Sequence, residues 1–353
     1  MKTKKFLGIL VSMFLLFSAQ GFCQSTLVAT LSRGDTLVSV HYGIEALKEA
    51  YNEAQDGDLI MLSSGGFRAV DISKQITIRG AGMEEDTLNN CLPTILIGSF
   101  DIIGSSTGKE YTRQIEGIYH DGLIEIQSSV KALFLKCRLY KIEYNSSSNL
   151  GTDIFTDAQF INCKILNYNL NGNASFYNCH VRNIKNPTSI SYGRYPQELS
   201  FYNSVIADED LSGFENCSFN NSIIISSTTF SAYNYVANCI GVNTYSLIDD
   251  IFSSIPGVYS NKCFYSIGEV FDTNTYDGGD YSDGDTYQLQ DSIRTKYLSH
   301  DGTEIGLYGG YYPYDPTTFA PKIKKFKVAR TSNANGQLEV EINVVPGATI
   351  KND

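Results

Sequence analysis

The chain has 353 residues, of which 18% are charged and 42% hydrophobic, and this is the composition of an ordinary folded protein. Its formal net charge of −11 argues against nucleic acid and anionic membranes as partners. The sequence contains no CxxC pair and no cysteine and histidine cluster at zinc spacing, which argues against a structural zinc site.

Residues 1–23 have the order of a secretory signal peptide. Lysines in the first five residues precede an apolar run over residues 6–17, which is followed by small and polar residues. The run is shorter than the roughly 20 residues that a spanning helix needs, and no later segment is apolar enough. We therefore expect a secreted or surface-held mature chain without a transmembrane segment, cleaved after Gly21 or Cys23. Lipid attachment at Cys23 is the alternative, which the bulky Phe22 disfavours.

Two elements are predicted at the start of the mature chain. Residues 24–40 are expected to form a lead-in strand, and residues 43–55 a short amphipathic helix with Ile44, Leu47 and Tyr51 on one stripe. This helix would cover the open apolar end of the stacked strands that follow it.

Strands follow the helix. Residues 55–58 predict a turn into a buried strand over residues 59–62, and Gly65 and Gly66 end that strand. Strand alternation then continues through apolar residues up to Gly80, at Val70, Ile72, Ile76 and Ile78.

A four-residue motif recurs between residues 134 and 239. The copies, including two looser ones, begin at Phe134, Phe160, Phe176, Phe201, Phe214 and Val236. In Phe176-Tyr177-Asn178-Cys179, the Phe and Asn share one face of a strand, whereas Cys179 shares its face with Val181. Both Asn178 and Cys179 then point inward, which requires the chain to turn a corner between them.

A strand, a corner and another strand, repeated along the chain, predict a parallel β-helix over residues 41–320. We expect the corner asparagines to stack inward as a hydrogen-bonded ladder. We expect the cysteines of the motif to be buried free thiols, although the chain has eight cysteines and is predicted to be exported. Because the copy at Phe214 follows the previous one after only 13 residues, it is expected on another corner.

Both ends of the predicted β-helix resemble known proteins. Residues 43–47, 56–60 and 76–80 resemble the N-terminal cap and first coil of the right-handed parallel β-helix superfamily of pectin-lyase-like proteins. Residues 287–292 and 301–310 resemble the closing segment of exported bacterial members. The resemblance covers about residues 41–312 and implies an all-β solenoid with a capping helix. It leaves function open, because enzymes and non-catalytic proteins share this scaffold.

The end of the chain has a different pattern. In residues 321–353, apolar and charged residues alternate on both sides of Asn335-Gly336, which predicts a β-hairpin or second cap. Lys325 and Lys327 are expected to face Glu339 and Glu341 across it.

Residues that could bind a ligand or take part in catalysis are dispersed in the sequence. The four histidines, at positions 41, 120, 180 and 300, have no metal-spaced partners, and His180 is expected to be solvated or hydrogen-bonded on the outer face. Basic residues that follow the corners are expected to be solvated, at Arg138, Lys141, Lys164, Arg182 and Lys185. Tyrosines at positions 308, 311, 312 and 314 could stack on sugar rings, and packing of the last coil explains them equally well.

An acidic, glycine-rich loop could bind calcium through Asp277, Asp280, Asp283 and Asp285, but it does not match an EF-hand. We expect no cofactor and no metal as the main interpretation, with calcium as the lesser alternative.

Two interpretations of function remain. The first is an exported or surface-displayed, non-catalytic β-helix protein that binds a polysaccharide, a surface glycan or another macromolecule. The second is a polysaccharide lyase or glycoside hydrolase. The first is favoured because the coil repeat is plain, whereas no catalytic residues can be assigned; the Asn-x-Asp and Gly-His-Gly runs of the superfamily's hydrolases do not occur in the sequence.

Overall fold

The fold was analysed in a computed structural model. It describes residues 27–87, 91–104, 113–127, 130–145, 157–169, 173–185, 199–207, 210–211, 214, 216–230, 233–244, 250–256, 260–272, 286–317, 322–328, 331–332, 335–337 and 340–345. The predicted signal peptide and the acidic loop at positions 277–285 lie outside the described residues.

Most of the described chain belongs to two long sheets. The 11-stranded sheet, here called sheet A, has the spatial order β2 (Thr36–Tyr42), β1 (Val28–Arg33), β3 (Leu59–Leu62), β5 (Thr77–Arg79), β8 (Arg113–Glu116), β10 (Lys131–Leu135), β12 (Asp157–Ile161), β14 (Asn173–Tyr177), β17 (Leu199–Tyr202), β19 (Ser218–Asn220) and β21 (Tyr235–Ala237).

The 12-stranded sheet is called sheet B. Its order is β23 (Lys262–Phe264), β22 (Ile240–Asn243), β20 (Ile223–Ser226), β18 (Val205–Ala207), β15 (His180–Arg182), β13 (Lys164–Asn169), β11 (Arg138–Asn145), β9 (Tyr119–Gln127), β6 (Thr94–Ile97) and β4 (Gly65–Arg68), with β16 (Ile184–Lys185) beside β13 and β7 (Phe100–Ile102) beside β9.

From β3 onward the chain alternates between the two sheets, and each strand pairs in parallel with the strand one circuit later. The described chain is therefore a mostly β structure with long parallel sheets and few helices, as expected and compatible with a β-helix. The described helices are α1 (Ala46–Glu53), α2 (Ile267–Val270) and α3 (Asp291–Arg294). None of the helices in the described ranges is both long and apolar enough to cross a membrane.

The interior between the sheets is filled by aligned side chains. Phe134, Phe160, Phe176, Phe201 and Phe219 occupy the same register position on successive strands of sheet A, and all are fully buried. Successive rings of this column are stacked, with centroids 4.6 to 5.0 Å apart. Each aromatic pair of this kind contributes about 0.5–1.5 kcal/mol beyond the burial of its area.

The corner between sheet A and sheet B follows the sequence motif. Its central residue has the left-handed backbone in successive circuits, with φ between 49° and 55° at Lys136, Asn162, Asn178, Asn203, Asn221 and Asn238. The backbone N–H of Asn162 donates to the carbonyl of Tyr177 in the next circuit, and the N–H of Asn178 donates likewise to Tyr202. Asparagine suits this position because its short amide side chain tolerates the left-handed region.

The ladder predicted for the asparagines is instead formed by the residue after them. Cys163 N–H donates to Cys179 Sγ at 3.4 Å, and Cys179 N–H donates to Ser204 Oγ at 3.1 Å. The Cys179 thiol donates in turn to the carbonyls of Phe160 and Tyr177. The prediction of an inward asparagine ladder is therefore wrong, since the Asn178 and Asn203 amides bond to residues 304–309.

The cysteines are placed largely as predicted. All seven described cysteines are free thiols, and the buried ones are Cys137, Cys163, Cys179, Cys217 and Cys239. Cys217 precedes β19 and lies on a different corner, as its short spacing predicts. Cys263, opposite Gly241 in sheet B, is only partly buried.

The N-terminal elements differ in part from the predictions. Instead of one lead-in strand, β1 and β2 form an antiparallel hairpin that turns at Gly34, where φ is 56°. Helix α1 buries Leu47 and Tyr51, but Ile44 precedes it and is exposed. Gly65 opens β4 after a tight turn, and Ile72 makes only an isolated bridge, so the expected strand through residues 70–80 is interrupted.

The predicted hairpin near the end of the chain forms. Strands β24 (Lys322–Val328) and β25 (Val340–Val345) pair antiparallel, with Lys327 opposite Glu341 as expected. Lys325, however, lies opposite Asn343.

Candidate functional site

One row of residues on the outer face of sheet B brings together three of the polar residues that the sequence points to, Arg138, Lys164 and His180. Tyr119, Arg138, Lys164 and His180 are neighbours in register on β9, β11, β13 and β15. They face outward because the residues that follow the last three, Leu139, Ile165 and Val181, are buried in the interior. The parallel register thus brings together side chains that are 16 to 26 positions apart in the sequence.

The same row becomes apolar in the later circuits. It continues through Val205, Ile223 and Ile240, which are fully buried although they face away from the interior. Residues 286–317, here called the cover segment, pack on them and form a second hydrophobic cluster, to which they contribute Tyr287, Leu289, Ile293, Ile305, Leu307 and Tyr314. The cover segment therefore lies along several circuits, whereas the sequence suggested packing on the last one only.

Polar contacts attach the cover segment to the corner between sheet A and sheet B. The Asn178 amide nitrogen donates to the carbonyls of Leu307 and Gly309, at 2.8 and 2.7 Å. Lys136 Nζ lies 3.0 Å from an Asp315 carboxylate oxygen at the end of the segment. The amide and the ammonium group thus bind one segment at two corners of this kind that are 42 positions apart in the sequence.

The cover segment also buries the middle of the basic row. The Lys164 side chain is 7% exposed; its Nζ lies 2.5 Å from Glu84 Oε1 and 5.9 Å from the centre of the Tyr314 ring. The His180 ring lies 4.4 Å from the Tyr287 ring. Burial, with the charges of Lys164 and Arg182 nearby, holds the pKa of His180 well below its ordinary value, so this imidazole is neutral at physiological pH. The prediction that Lys164 is solvated is wrong. For His180, which was predicted to be solvated or hydrogen-bonded, burial contradicts the first alternative only.

The row opens to solvent at its other end. The Arg138 guanidinium lies 4.7 Å from the centre of the Tyr119 ring, and Tyr140 is 47% exposed beside them. These residues line a depression of about 250 Å³, together with Lys164, Leu166 and His180. Aromatic rings and a guanidinium at an open surface offer both stacking and hydrogen bonds to a polar ligand.

No protein-family model, curated protein or solved structure matches the chain.

The remaining basic residues lie outside the depression. Lys141 Nζ is 2.6 Å from Glu143 Oε1, and Arg182 is partly buried on β15. Of Lys185 only the backbone is described, in β16.

The other three histidines lie apart from this row. His41 contacts Glu49 and Glu53 of α1, and His120 is buried between the sheets, where Nε2 donates to the Gly98 carbonyl at 2.8 Å. Burial lowers the pKa of His120. The backbone N–H of the exposed His300 donates to the Asn221 side chain. Over the described ranges, no three His, Cys, Asp or Glu side chains come together as a metal site would require. Calcium binding by the acidic loop stays a prediction.

The tyrosines near the chain end are divided between two environments. Tyr314 is buried against the second cluster, and Tyr308 donates to the Thr286 carbonyl. Tyr311 is exposed next to Tyr312, which lies edge-on to Tyr177 with centroids 5.9 Å apart. These four residues therefore do not form one sugar-stacking surface.

Sequence reasoning missed Tyr119 and Tyr140 as candidate residues. Tyr140 follows the predicted outward Arg138 by two positions, which was a usable signal. Tyr119 could be found only from the register of β9 and β11, since its circuit lacks the Phe-x-Asn-Cys motif.

Proposed function

We propose that the chain is an exported, non-catalytic protein with a right-handed parallel β-helix of the pectin-lyase-like type, which binds glycan at the depression beside Arg138. The alternation of the chain between two parallel sheets and the repeated left-handed corner support the fold. Parallel crossover connections are right-handed in almost all known cases, which supports the handedness. The burial of Leu47 and Tyr51 of α1 supports a capping role for this helix.

The depression carries the proposal for binding. Tyr119 and Tyr140 offer rings with hydroxyl groups at a partly open surface, and such rings pack on the apolar faces of sugars. The cavity of about 250 Å³ is smaller than the roughly 300–1,000 Å³ of typical small-molecule pockets, so it would hold one unit of a longer glycan. The net charge of −11 favours a neutral glycan over a polyanion.

The lining of the depression supports binding without turnover. Hydrolysis of a glycosidic bond usually requires two carboxyl groups about 5–9.5 Å apart. None of the described residues that line the depression is an Asp or Glu, and the nearby Glu84 carboxylate is paired with Lys164. The alternative of a lyase has one observation in its favour, the adjacency of two basic residues, Arg138 and Lys164, in the row.

Binding is tested with a panel of neutral and acidic polysaccharides, assayed by affinity electrophoresis with the wild type, Tyr140→Ala and Arg138→Gln. We expect retention of the wild type by a neutral glycan and at least a tenfold loss of affinity in both variants, since each removes a contact of about 1.4 kcal/mol or more. Tyr265→Ala is the matched control, because Tyr265 is 64% exposed on another part of the surface. Equal binding by all variants would place the ligand elsewhere.

Turnover is measured on the same panel, with and without calcium, as new reducing ends or unsaturated products. We expect none. Product release that scales with protein concentration and is abolished by Arg138→Gln would establish the enzyme alternative instead.

Export is tested by N-terminal sequencing of the protein released by its native host. We expect a start between Gln20 and Ser25, because the apolar run and the small residues after it match a signal peptidase site. Released protein that still begins at Met1 would contradict the signal peptide.

A further inference from the structure

Strand β2 has an unusual distribution of polar and apolar side chains. Its polar residues Ser39 and His41 lie beside Leu31 and Ala29, both buried on the inner face of β1. His41 Nδ1 is 3.2 Å from Glu49 Oε2 of helix α1. The polar face of β2 is thus turned toward the protein, whereas a strand at the surface usually turns its apolar face that way.

The apolar residues of β2 are correspondingly exposed. Leu37 is 59% exposed, Val40 37% and Tyr42 64%, and Val38 at the bulge is exposed as well. Val40 lies beside Thr30 on the outer face of β1, and Thr30 lies beside Met61 on β3, which is 38% exposed. Apolar side chains are therefore exposed on β2 and β3, on either side of Thr30.

β2 is also the terminal strand of sheet A and pairs with β1 alone in the strand order. Edge strands of stable monomers are usually short or carry lysine, other charges or proline, which prevent pairing with another chain. Over its seven residues β2 has no Lys, Arg, Asp or Glu and no proline, and its one histidine, His41, contacts Glu49 and Glu53 on the inner side. A bulge relative to β1 lies at its Leu37 end, and the stretch from Ser39 to Tyr42 is regularly paired with β1.

We propose that β2 is a self-association surface, at which two copies of the chain pair their β2 strands antiparallel about a two-fold axis. The other end strands of the two sheets, β4, β21 and β23, have only three or four residues. Strand β24 is as long as β2 but contains four lysines, which disfavour edge pairing. Among the described edges, β2 is thus the best match for a second β2.

The antiparallel arrangement is self-complementary, because it brings the uncharged apolar residues of one copy against the same residues of the other. Two chains with a net charge of −11 each repel one another, so an uncharged contact surface is where they can approach most closely. A two-fold interface pairs the β2 edges of both copies with each other, so assembly ends at a dimer. A single strand pair buries little area, so we expect a reversible dimer in the micromolar range or weaker.

Sedimentation velocity over a wide range of protein concentrations tests this proposal. The exported protein should sediment as a monomer when dilute and as a dimer when concentrated. Val40→Lys should shift the midpoint of dimerisation to at least tenfold higher concentration, because it places like charges in the interface. Tyr42→Lys provides a second substitution on the same face.

Ile97→Lys is the matched control, since Ile97 is an exposed apolar strand residue on β6 of sheet B, 46% exposed. It should leave the dimer unchanged. Circular dichroism and thermal midpoints establish that all variants fold. A wild type that stays monomeric at the highest concentration, dimers that persist equally in both β2 variants, or assembly that continues beyond the dimer would each overturn the proposal.

Discussion

Replacement of Asn178 measures how strongly the corner holds the cover segment. This residue combines two functions: a left-handed backbone with φ of 51°, and an amide that donates to the carbonyls of Leu307 and Gly309. Leucine at this position would lose both. Glycine would lose the amide but would adopt the backbone conformation without strain.

The magnitudes follow from these two contributions. Each hydrogen bond contributes about 1 kcal/mol net, so Asn178→Gly should lower the free energy of unfolding by about 2 kcal/mol. A side chain branched beyond Cβ in the left-handed region costs about 1–2 kcal/mol more. Asn178→Leu should therefore cost about 3–4 kcal/mol.

Asn238 is the matched control. It has the same corner conformation, with φ of 52°, but it is half-buried, and within the described part of the chain its side chain makes no hydrogen bond. Asn238→Leu should cost only the backbone contribution of about 1–2 kcal/mol, and Asn238→Gly should be close to neutral.

Urea unfolding followed by circular dichroism gives the free energies, and hydrogen exchange over residues 301–312 shows whether the cover segment opens locally. We expect faster exchange there in both Asn178 variants and not in the Asn238 variants. If Asn178→Gly and Asn238→Gly had equal stability and equal exchange, the two amide bonds would contribute nothing and the reasoning would fail.

Three further predictions concern the buried cysteines, the Arg33–Asp58 ion pair and the end of helix α1. Thiol reagents should modify Cys163 and Cys239 only after unfolding, since both are buried and burial raises the pKa of Cys239 to about 12; rapid labelling of the native protein, by mass mapping, would contradict this. Asp58→Asn should cost about 1–3 kcal/mol in urea unfolding, because the buried carboxylate accepts two hydrogen bonds from Arg33. The Arg33 hydrogen bonds lower the pKa of Asp58 in the folded protein. The contribution of Asp58 to the free energy of unfolding should therefore be present above the pKa of the unfolded chain, near 3.9, and be lost as the pH falls through the lower pKa of the folded protein. A stability difference between wild type and Asp58→Asn that stays constant down to the acid transition would refute this. Lys74→Met should lower the thermal midpoint, because Lys74 Nζ donates to the last carbonyls of α1, and an unchanged midpoint would show that water replaces it.

The sequence was sufficient for features that repeat or that depend on neighbouring residues. The Phe-x-Asn-Cys motif identified the corner, because a left-handed residue and a change of strand parity are local properties. Alternation around Asn335-Gly336 identified the β24–β25 hairpin for the same reason.

The tertiary structure decided which residues of successive strands lie side by side and which segment covers them. Parity correctly placed His180 and Lys164 on the outer face, but their burial depends on the cover segment, more than 100 positions later in the chain. Carbonyls of the same segment accept hydrogen bonds from the Asn178 and Asn203 amides, which the sequence analysis assigned to an inward ladder. Local periodicity specifies the direction of a side chain relative to its own strand. Whether that direction leads to solvent depends on long-range packing, which has no period in the sequence.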